Sequence, residues 1–241
     1  MNALEKYPLP QEECDRLLKT ILLSALVWLG AGIVLAIIVT CIRTGGFLAG
    51  GNPMAWVNDI AATLFPHWTM IALPLAALVL VEGVQAWRMP RSPGFRESTI
   101  QIRQGITGEM PRMPVLPMFF LMLLTGFSEE LVFRYGLIGL LALLLAFILP
   151  DGAAIVISVL LSTAIFTVVH TQYKGAWHMA AVFVLGLVMG VVFVLTGSLL
   201  SVAFAHGMYD FGILLAERAN MVREDDYFDG KVPVDVLAGM G

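Results

Sequence analysis

Residues 121–150 read LMLLTGFSEELVFRYGLIGLLALLLAFILP, an apolar run that nevertheless contains two glutamates and an arginine. The apolar character extends on both sides, from Met113 to Ala216. It is interrupted only by short polar or glycine-containing breaks at 150–152, 171–175 and 196–198. A helix needs about 20 apolar residues to cross the hydrocarbon core of a bilayer. The stretch therefore predicts a set of membrane helices that carry a few charged groups among them.

The composition of the whole chain agrees with this interpretation. Of the 241 residues, 59% are hydrophobic and only 13% are charged, whereas a soluble domain carries about 25% charged residues. This balance excludes a disordered chain, a nucleic-acid-binding domain and an ordinary soluble enzyme. The formal net charge of −4 gives no sign of a nucleic acid as partner. We expect the main partner to be membrane lipid.

Hydropathy and helix-breaking residues divide the chain into candidate membrane helices. They lie at Thr20–Ile42, Ile60–Trp87, 115–135, 136–149, 154–172, 178–196 and 198–216. The segment 136–149 is short, and it either continues the preceding helix or packs as a partial span. The sequence thus predicts an all-α polytopic bundle of about seven membrane helices, within a range of about 6–8. It also predicts three regions: N-terminal helices and a basic loop (1–112), a helical core (113–216) and an acidic tail (217–241).

The loop between the second and third predicted spans, Arg88–Arg112, is rich in arginine. It contains five arginines against two glutamates. Short loops with excess positive charge lie on the cytoplasmic side of a membrane. Because two spans precede this loop, the N-terminus is also predicted to be cytoplasmic.

Six ionisable side chains lie inside the predicted helices of the core: Glu129, Glu130, Arg134, His170, His206 and Asp210. A charge at the bilayer centre costs roughly 2.5–3.5 kcal/mol on insertion scales, so such residues normally face the bundle interior and have partners. Their presence in one half of the chain predicts a single buried polar site.

The spacing of these residues indicates which of them can meet. Glu130 and Arg134 are four residues apart on one helix face and can form an ion pair. Glu129 lies about 100° further around that helix and is free to face a cavity. His206 and Asp210 also share a helix face. A carboxylate and two histidines from three helices are suited either to activating a water molecule or to holding a metal ion.

Structural interpretations stand beside these chemical ones. The Glu130–Arg134 pair can simply tie helices together, and a single membrane histidine is most often an interhelical hydrogen-bonding residue. The remaining two histidines, His67 and His178, each lie next to a tryptophan. We interpret them as interfacial anchors without a chemical role.

Three motifs occur in order in the core. They are Glu129-Glu130-Leu-Val-Phe-Arg134, Phe166-Thr-Val-Val-His170 and His206-Gly-Met-Tyr-Asp210. In this order, and in hydrophobic helices, they resemble the motifs of the CPBP intramembrane proteases, the family of the CAAX proteases and bacteriocin-processing enzymes (also called Abi). The resemblance covers roughly 118–215.

The resemblance implies an intramembrane endopeptidase that hydrolyses a peptide bond in a membrane-associated or lipidated, CAAX-like substrate. By position, Glu129 and His170 would activate the attacking water, and His206 and Asp210 would stabilise the oxyanion. The orienting or structural roles would fall to Glu130, Arg134 and Phe166.

The sequence departs from the family pattern at two places. Tyr135 stands between the motif arginine and Gly136, and the last motif ends in aspartate instead of asparagine. An ionised carboxylate cannot donate to an oxyanion, so Asp210 must be protonated, orient His206 or bind a cation. Zinc is therefore a possible cofactor, with Glu129, His170, His206 and Asp210 as its ligand set, beside a metal-independent glutamate mechanism.

Two other functions are compatible with the sequence. A non-catalytic membrane scaffold or immunity protein could keep the same fold without using Glu129. A transporter or proton relay would also place carboxylates and histidines inside the membrane. Against the transporter, the chain has no matching pair of interrupted helices in two halves.

Overall fold

The structure, a computed structural model, describes residues 3–44, 55–170 and 173–229. All regular secondary structure in these ranges is helical, and six helices are long and apolar enough to cross a membrane. The predicted all-α polytopic bundle is confirmed, and the count of six is the lowest of the predicted range. The chain is an integral, multi-pass membrane protein.

The helices follow one another along the chain as α1 (Ala3–Lys6), α2 (Gln11–Arg43), α3 (Ala55–Thr63), α4 (Thr69–Arg88), α5 (Pro93–Arg103), α6 (Ile106–Glu109), α7 (Val115–Glu130), α8 (Gly139–Leu145), α9 (Asp151–Val169), α10 (Ala176–Thr196) and α11 (Leu199–Arg223). A 3-10 turn, Met110–Arg112, precedes α7, and a π-helical segment, Leu131–Ile138, joins α7 to α8. The spans are α2, α4, α7 continued through α8, α9, α10 and α11.

The span count falls below seven because the predicted helix at 136–149 continues the preceding one. The helical run Val115–Leu145 has no proline or turn between its two halves, and it widens into a π-helix in the middle. Such widenings occur frequently at functional sites. The buried Ser162 hydroxyl on α9 donates to the Phe133 carbonyl at 2.7 Å and supports the widened turn.

Three other predicted boundaries differ from the structure. The run predicted at Ile60–Trp87 breaks after Thr63, where Pro66 interrupts the chain before α4. The last helix does not end at 216, just before the acidic tail predicted at 217–241, but continues to Arg223. The arginine-rich loop contains α5, whose start is favoured by Pro93 in its first turn and by the Ser92 hydroxyl, which accepts from the Phe95 amide at 3.4 Å.

Two glycines allow α7 and α11 to approach backbone to backbone. A Cβ atom on Gly126 would lie 2.6 Å from the Gly207 nitrogen, and one on Gly207 would lie 2.7 Å from the Met122 carbonyl oxygen. Membrane helices associate closely through such small residues. This crossing brings the end of α7, with the first motif, beside the third motif on α11.

The outer faces of the spans are apolar, as a lipid environment requires. Leu23, Val79 and Leu195 are exposed by 64%, 75% and 78%. The N-terminal segment, the arginine-rich loop and the end of the described chain lie on the same side of the bundle. There the Arg112 guanidinium donates to the Tyr7 carbonyl at 3.1 Å, and the Lys6 ammonium donates to the Glu224 carbonyl at 3.0 Å.

Candidate active site

The first motif forms a fully buried ion pair. The Arg134 Nε lies 2.7 Å from the Glu130 Oε2, its Nη2 donates to Oε1 at 3.1 Å, and neither side chain has exposed surface. The predicted i,i+4 contact is therefore present. In the apolar interior this pair can persist only because each charge lies against the other.

His206 from α11 is the second partner of Glu130. Its Nδ1 lies 2.9 Å from the Glu130 Oε1. A carboxylate in contact with a guanidinium accepts hydrogen bonds, so Nδ1 is the donor and Nε2 is the nitrogen directed elsewhere. That Nε2 lies 3.4 Å from the Asp210 Oδ2 and 3.9 Å from the Glu129 Oε2.

His170 occupies a different position from the one predicted. The helix predicted to extend to 172 ends at Val169, and His170 is the residue that caps it. Its Nδ1 lies 2.6 Å from the Phe166 carbonyl oxygen, one of the acceptors that a helix end leaves without an intrahelical donor. Because a carbonyl only accepts, Nδ1 donates, and Nε2 lies 3.5 Å from the Glu129 Oε2.

The Phe166 ring contacts three of the other predicted site residues. Its ring centroid lies 4.2 Å from that of His170 and 5.9 Å from that of His206. The Arg134 guanidinium lies over the same ring at 4.9 Å. The ring thus packs the predicted second motif against the first.

The two adjacent glutamates differ in their partners. Glu130 is saturated by a guanidinium and an imidazole. Within the described ranges, Glu129 lies within ion-pair distance only of His170 and His206, and its side chain is 12% exposed.

The structure brings together all seven predicted site residues, which we call the motif cluster: Glu129, Glu130, Arg134, Phe166, His170, His206 and Asp210. As potential metal ligands they are less suitable. Among residues 3–44, 55–170 and 173–229, no group of three or more His, Cys, Asp or Glu side chains is arranged to hold a metal ion.

The motif cluster lines a cavity of about 460 Å³ that extends toward residues of α4, α5 and α10. A second polar group lines the same cavity, and we call it the end wall: Arg103, Glu217 and Tyr227. This group was not predicted from the sequence, because Arg103 lies in the stretch predicted to be a loop and the other two lie in the predicted acidic tail. The aromatic pair Tyr227-Phe228 inside that tail was the one signal of burial.

His178 also lies in the cavity, although its position beside Trp177 predicted an interfacial anchor. Its ring stacks on Phe95 with centroids 4.9 Å apart, and its Nε2 lies 3.2 Å from the Thr99 hydroxyl. These contacts join α10 to α5. His67 lies just before α4, and its backbone amide donates to the Ser201 hydroxyl at 2.7 Å.

Comparison with known proteins bears on this site. Residues 111–212 match the family model described as type II CAAX prenyl endopeptidase Rce1-like. The resemblance to the CAAX proteases is confirmed. The match spans a little less than half of the chain and includes every member of the motif cluster. No match was found among curated proteins or among solved structures.

The CAAX protease match fits a membrane protein with its polar groups inside a helical bundle. At the level of the family, the core of the chain is similar to proteases of the CAAX endopeptidase type. The preceding helices α1–α5 lie outside the matched segment. They nevertheless supply part of the cavity, through residues such as Ser24, Gln85 and Arg103.

Proposed function

We propose that the protein hydrolyses a peptide bond in a membrane-associated or lipidated, CAAX-like substrate, with Glu129 as the base that activates water. The observation that carries this proposal is the contrast between the two glutamates. Glu130 is fully engaged by Arg134 and His206, whereas Glu129 lies between the Nε2 atoms of two histidines in the cavity. A general base must be free to take a proton from water.

The proposed reaction begins with a water molecule held between the Glu129 carboxylate and the His170 Nε2. Glu129 takes one proton from the water, and the oxygen attacks the carbonyl carbon of the scissile bond. The carbon–nitrogen bond then breaks, and Glu129 returns the proton to the leaving amine. His170 is suited to position the water because its other nitrogen is fixed on the Phe166 carbonyl.

His206 is suited to stabilise the oxyanion that forms in this reaction. Its Nδ1 is held by Glu130, so the ring orientation is fixed before substrate binds. When Nε2 also carries a proton, it presents a donor toward the carbonyl oxygen. Asp210, at 3.4 Å from that Nε2, then acts by orienting and charging His206 and does not donate to the oxyanion itself.

The contacts among three polar segments support an orientation of the protein in the membrane. The N-terminal segment, the arginine-rich loop and the residues after α11 meet on one side of the bundle. We place this side in the cytoplasm, because an excess of arginine marks cytoplasmic loops.

Peptide cleavage in proteoliposomes tests the proposed function. Wild type and Glu129→Gln are compared on a panel of lipidated and transmembrane peptides, with the melting temperature of each variant as a control for folding. We expect product from wild type and none from the equally stable variant. Product from both would assign the activity to another group, and no product from either would favour the scaffold function.

A chelator in the same assay addresses the cofactor. The glutamate mechanism predicts that the rate of cleavage is unchanged after extensive chelation. Loss of activity that zinc restores would contradict it and would assign Glu129, His170, His206 and Asp210 to a metal site.

A further inference from the structure

Two tryptophans enclose an arginine where α4 ends and α10 begins. The Arg88 guanidinium lies 3.7 Å from the centroid of the Trp177 ring and 5.0 Å from that of the Trp87 ring. Arg88 is the last residue of α4, and Trp177 lies in the first turn of α10. We call Trp87, Arg88 and Trp177 the arginine–tryptophan site. None of the three lines the cavity that contains the motif cluster.

The two tryptophans place this site at the level of the lipid headgroups. Trp87 and Trp177 are 54% and 50% exposed, and each lies at one end of a membrane span. Tryptophan is enriched at the boundary between the hydrocarbon core and water. An arginine at the end of a membrane helix extends its guanidinium toward the same layer. The site therefore faces lipid at the depth of the phosphate groups.

Arg88 differs from other arginines of the same loop in having no carboxylate beside it. Arg96 and Arg103 each form ion pairs with two carboxylates. Among the residues that the structure describes, no carboxylate lies within ion-pair distance of Arg88 or of Arg91. The Arg91 Nη1 donates to the Trp87 carbonyl at 2.9 Å. The two positive charges at the end of α4 are thus not neutralised by the described part of the chain.

The position of Arg88 on the Trp177 ring is suited to binding a phosphate. A guanidinium that packs on an aromatic face keeps its N–H donors at its edge, where they can bind two oxygens of one phosphate. The ring also holds the side chain in place before a ligand binds, which lowers the entropic cost of binding. Two arginines without carboxylate partners favour a lipid with a net negative headgroup over a zwitterionic one.

We propose that the arginine–tryptophan site binds the phosphate of an anionic phospholipid and thereby links the ends of α4 and α10. The site takes a lipid, and not a soluble phosphate, because it faces the bilayer and its tryptophan rings offer apolar surface to the start of the acyl chains. This interaction surface is separate from the motif cluster, and the inference does not rest on the proposed function.

Native mass spectrometry of the full-length protein tests the site. The protein is released from detergent that contains equal amounts of phosphatidylglycerol and phosphatidylcholine, which share the phosphate but differ in net charge. We expect wild type to retain phosphatidylglycerol at least about fivefold more than phosphatidylcholine, the factor that corresponds to one basic residue at an anionic membrane surface. Arg88→Ala should reduce this ratio about fivefold. Arg88→Lys should also reduce it, because lysine keeps the charge but has no planar fork.

Arg16→Ala is the matched control, because it removes the same charge from an arginine that pairs with Glu13. It should keep the wild-type ratio. The ratio is counted on lipid-bound protein alone, so it does not depend on how much of a variant folds. A wild-type ratio near one would overturn the inference. Equal losses in Arg16→Ala and Arg88→Ala, or an unchanged ratio in Arg88→Lys, would assign the preference to general surface charge and would also overturn it.

A soluble competitor separates a lipid from a free phosphate as the occupant. Glycerol 3-phosphate carries a phosphate on glycerol but has no acyl chains, and it is added at the concentration of the lipid. We expect phosphatidylglycerol to stay bound. Its displacement by glycerol 3-phosphate would overturn the assignment of the site to a lipid. Peptide cleavage is not measured, so failure of this inference is distinguishable from failure of the proposed function.

Discussion

The cavity has two polar ends that are built from similar parts but differ in how completely these parts are paired. In the end wall, Arg103 and Tyr227 both donate to Glu217. The Arg103 Nη1 also donates to a second carboxylate, that of Glu224. In the motif cluster, Arg134 and His206 saturate Glu130, whereas among the described residues Glu129 lies within ion-pair distance only of two imidazoles. In a buried charge network, a carboxylate that is not paired with an arginine is the one that remains able to accept a proton from water.

The two ends also differ in how their partners are brought together. Glu130 and Arg134 are neighbours on one helix face, and His206 joins them because the glycine crossing lets α11 approach α7. The end wall depends on contacts between residues more than 100 positions apart in sequence, such as Arg103 and Glu217. The first arrangement is encoded locally, and the second requires the whole bundle to be assembled.

The largest expected effect is on the rate of peptide hydrolysis, which should depend on the motif cluster much more than on the end wall. His170→Gln removes the nitrogen that faces Glu129, so we expect the rate of peptide hydrolysis to fall by about 10²–10⁴-fold, the range for loss of a general acid or base. Glu217→Gln in the end wall should leave the rate within about tenfold of wild type on the same lipidated peptide. Equal losses in both variants, at equal melting temperature, would remove the distinction between the two ends.

The next effect concerns the stability of the motif cluster. Glu130→Ala leaves the buried Arg134 without its partner, and we expect the free energy of unfolding to fall by about 3–5 kcal/mol. Thermal unfolding in detergent measures this. Glu13→Ala is the matched control, because Glu13 pairs with Arg16 at the exposed start of α2. A melting temperature of Glu130→Ala close to that of the control would show that the pair does not stabilise the bundle.

A smaller effect tests how the motif cluster is assembled. Gly207→Ala forces a Cβ against the α7 backbone, and overpacking of this kind costs about 1–3 kcal/mol. Gly83→Ala is the control, since a Cβ at Gly83 meets nothing within 4 Å. We expect the melting temperature and the hydrolysis rate to fall only for Gly207→Ala. If both variants behave as wild type, close approach of α7 and α11 is not what aligns the motifs.

An effect of similar size concerns the end wall. Tyr227→Phe removes one hydrogen bond to a carboxylate, at a cost of about 1.5–3 kcal/mol. Burial raises the pKa of the Tyr227 phenol, so the folded state favours the neutral form. The stabilisation from this group is present below the unfolded pKa of about 10 and is lost as the pH rises above it. Melting temperatures above about pH 10 should therefore fall less steeply in Tyr227→Phe than in wild type, and parallel curves would contradict this.

Part of this structure could be predicted from the sequence because lipid imposes simple rules. The spans follow from runs of about 20 apolar residues, and the Glu130–Arg134 pair follows from helical spacing. The motif cluster could be proposed because charges inside apolar helices are costly and need partners. These features depend on local sequence and on the membrane, not on the detailed packing of distant segments.

Other features depend on tertiary contacts that a single sequence does not display. The continuity of Val115–Leu145 requires the π-helical segment, which is supported by Ser162 from another helix. The break before α4 is held in place by a contact between His67 and Ser201. The end wall joins Arg103 to Tyr227, 124 positions apart in the sequence. Composition indicated a loop and a tail for these last two residues, and long-range packing decided otherwise.

The most direct test of the account compares two isosteric variants of the adjacent glutamates. Glu129→Gln and Glu130→Gln are measured side by side for hydrolysis of a farnesylated peptide and for melting temperature. We predict that Glu129→Gln melts as wild type does and forms no product, while Glu130→Gln melts at a lower temperature because Arg134 and His206 lose their charged partner. Product formation by Glu129→Gln at the wild-type rate would contradict the assignment of Glu129 as the base.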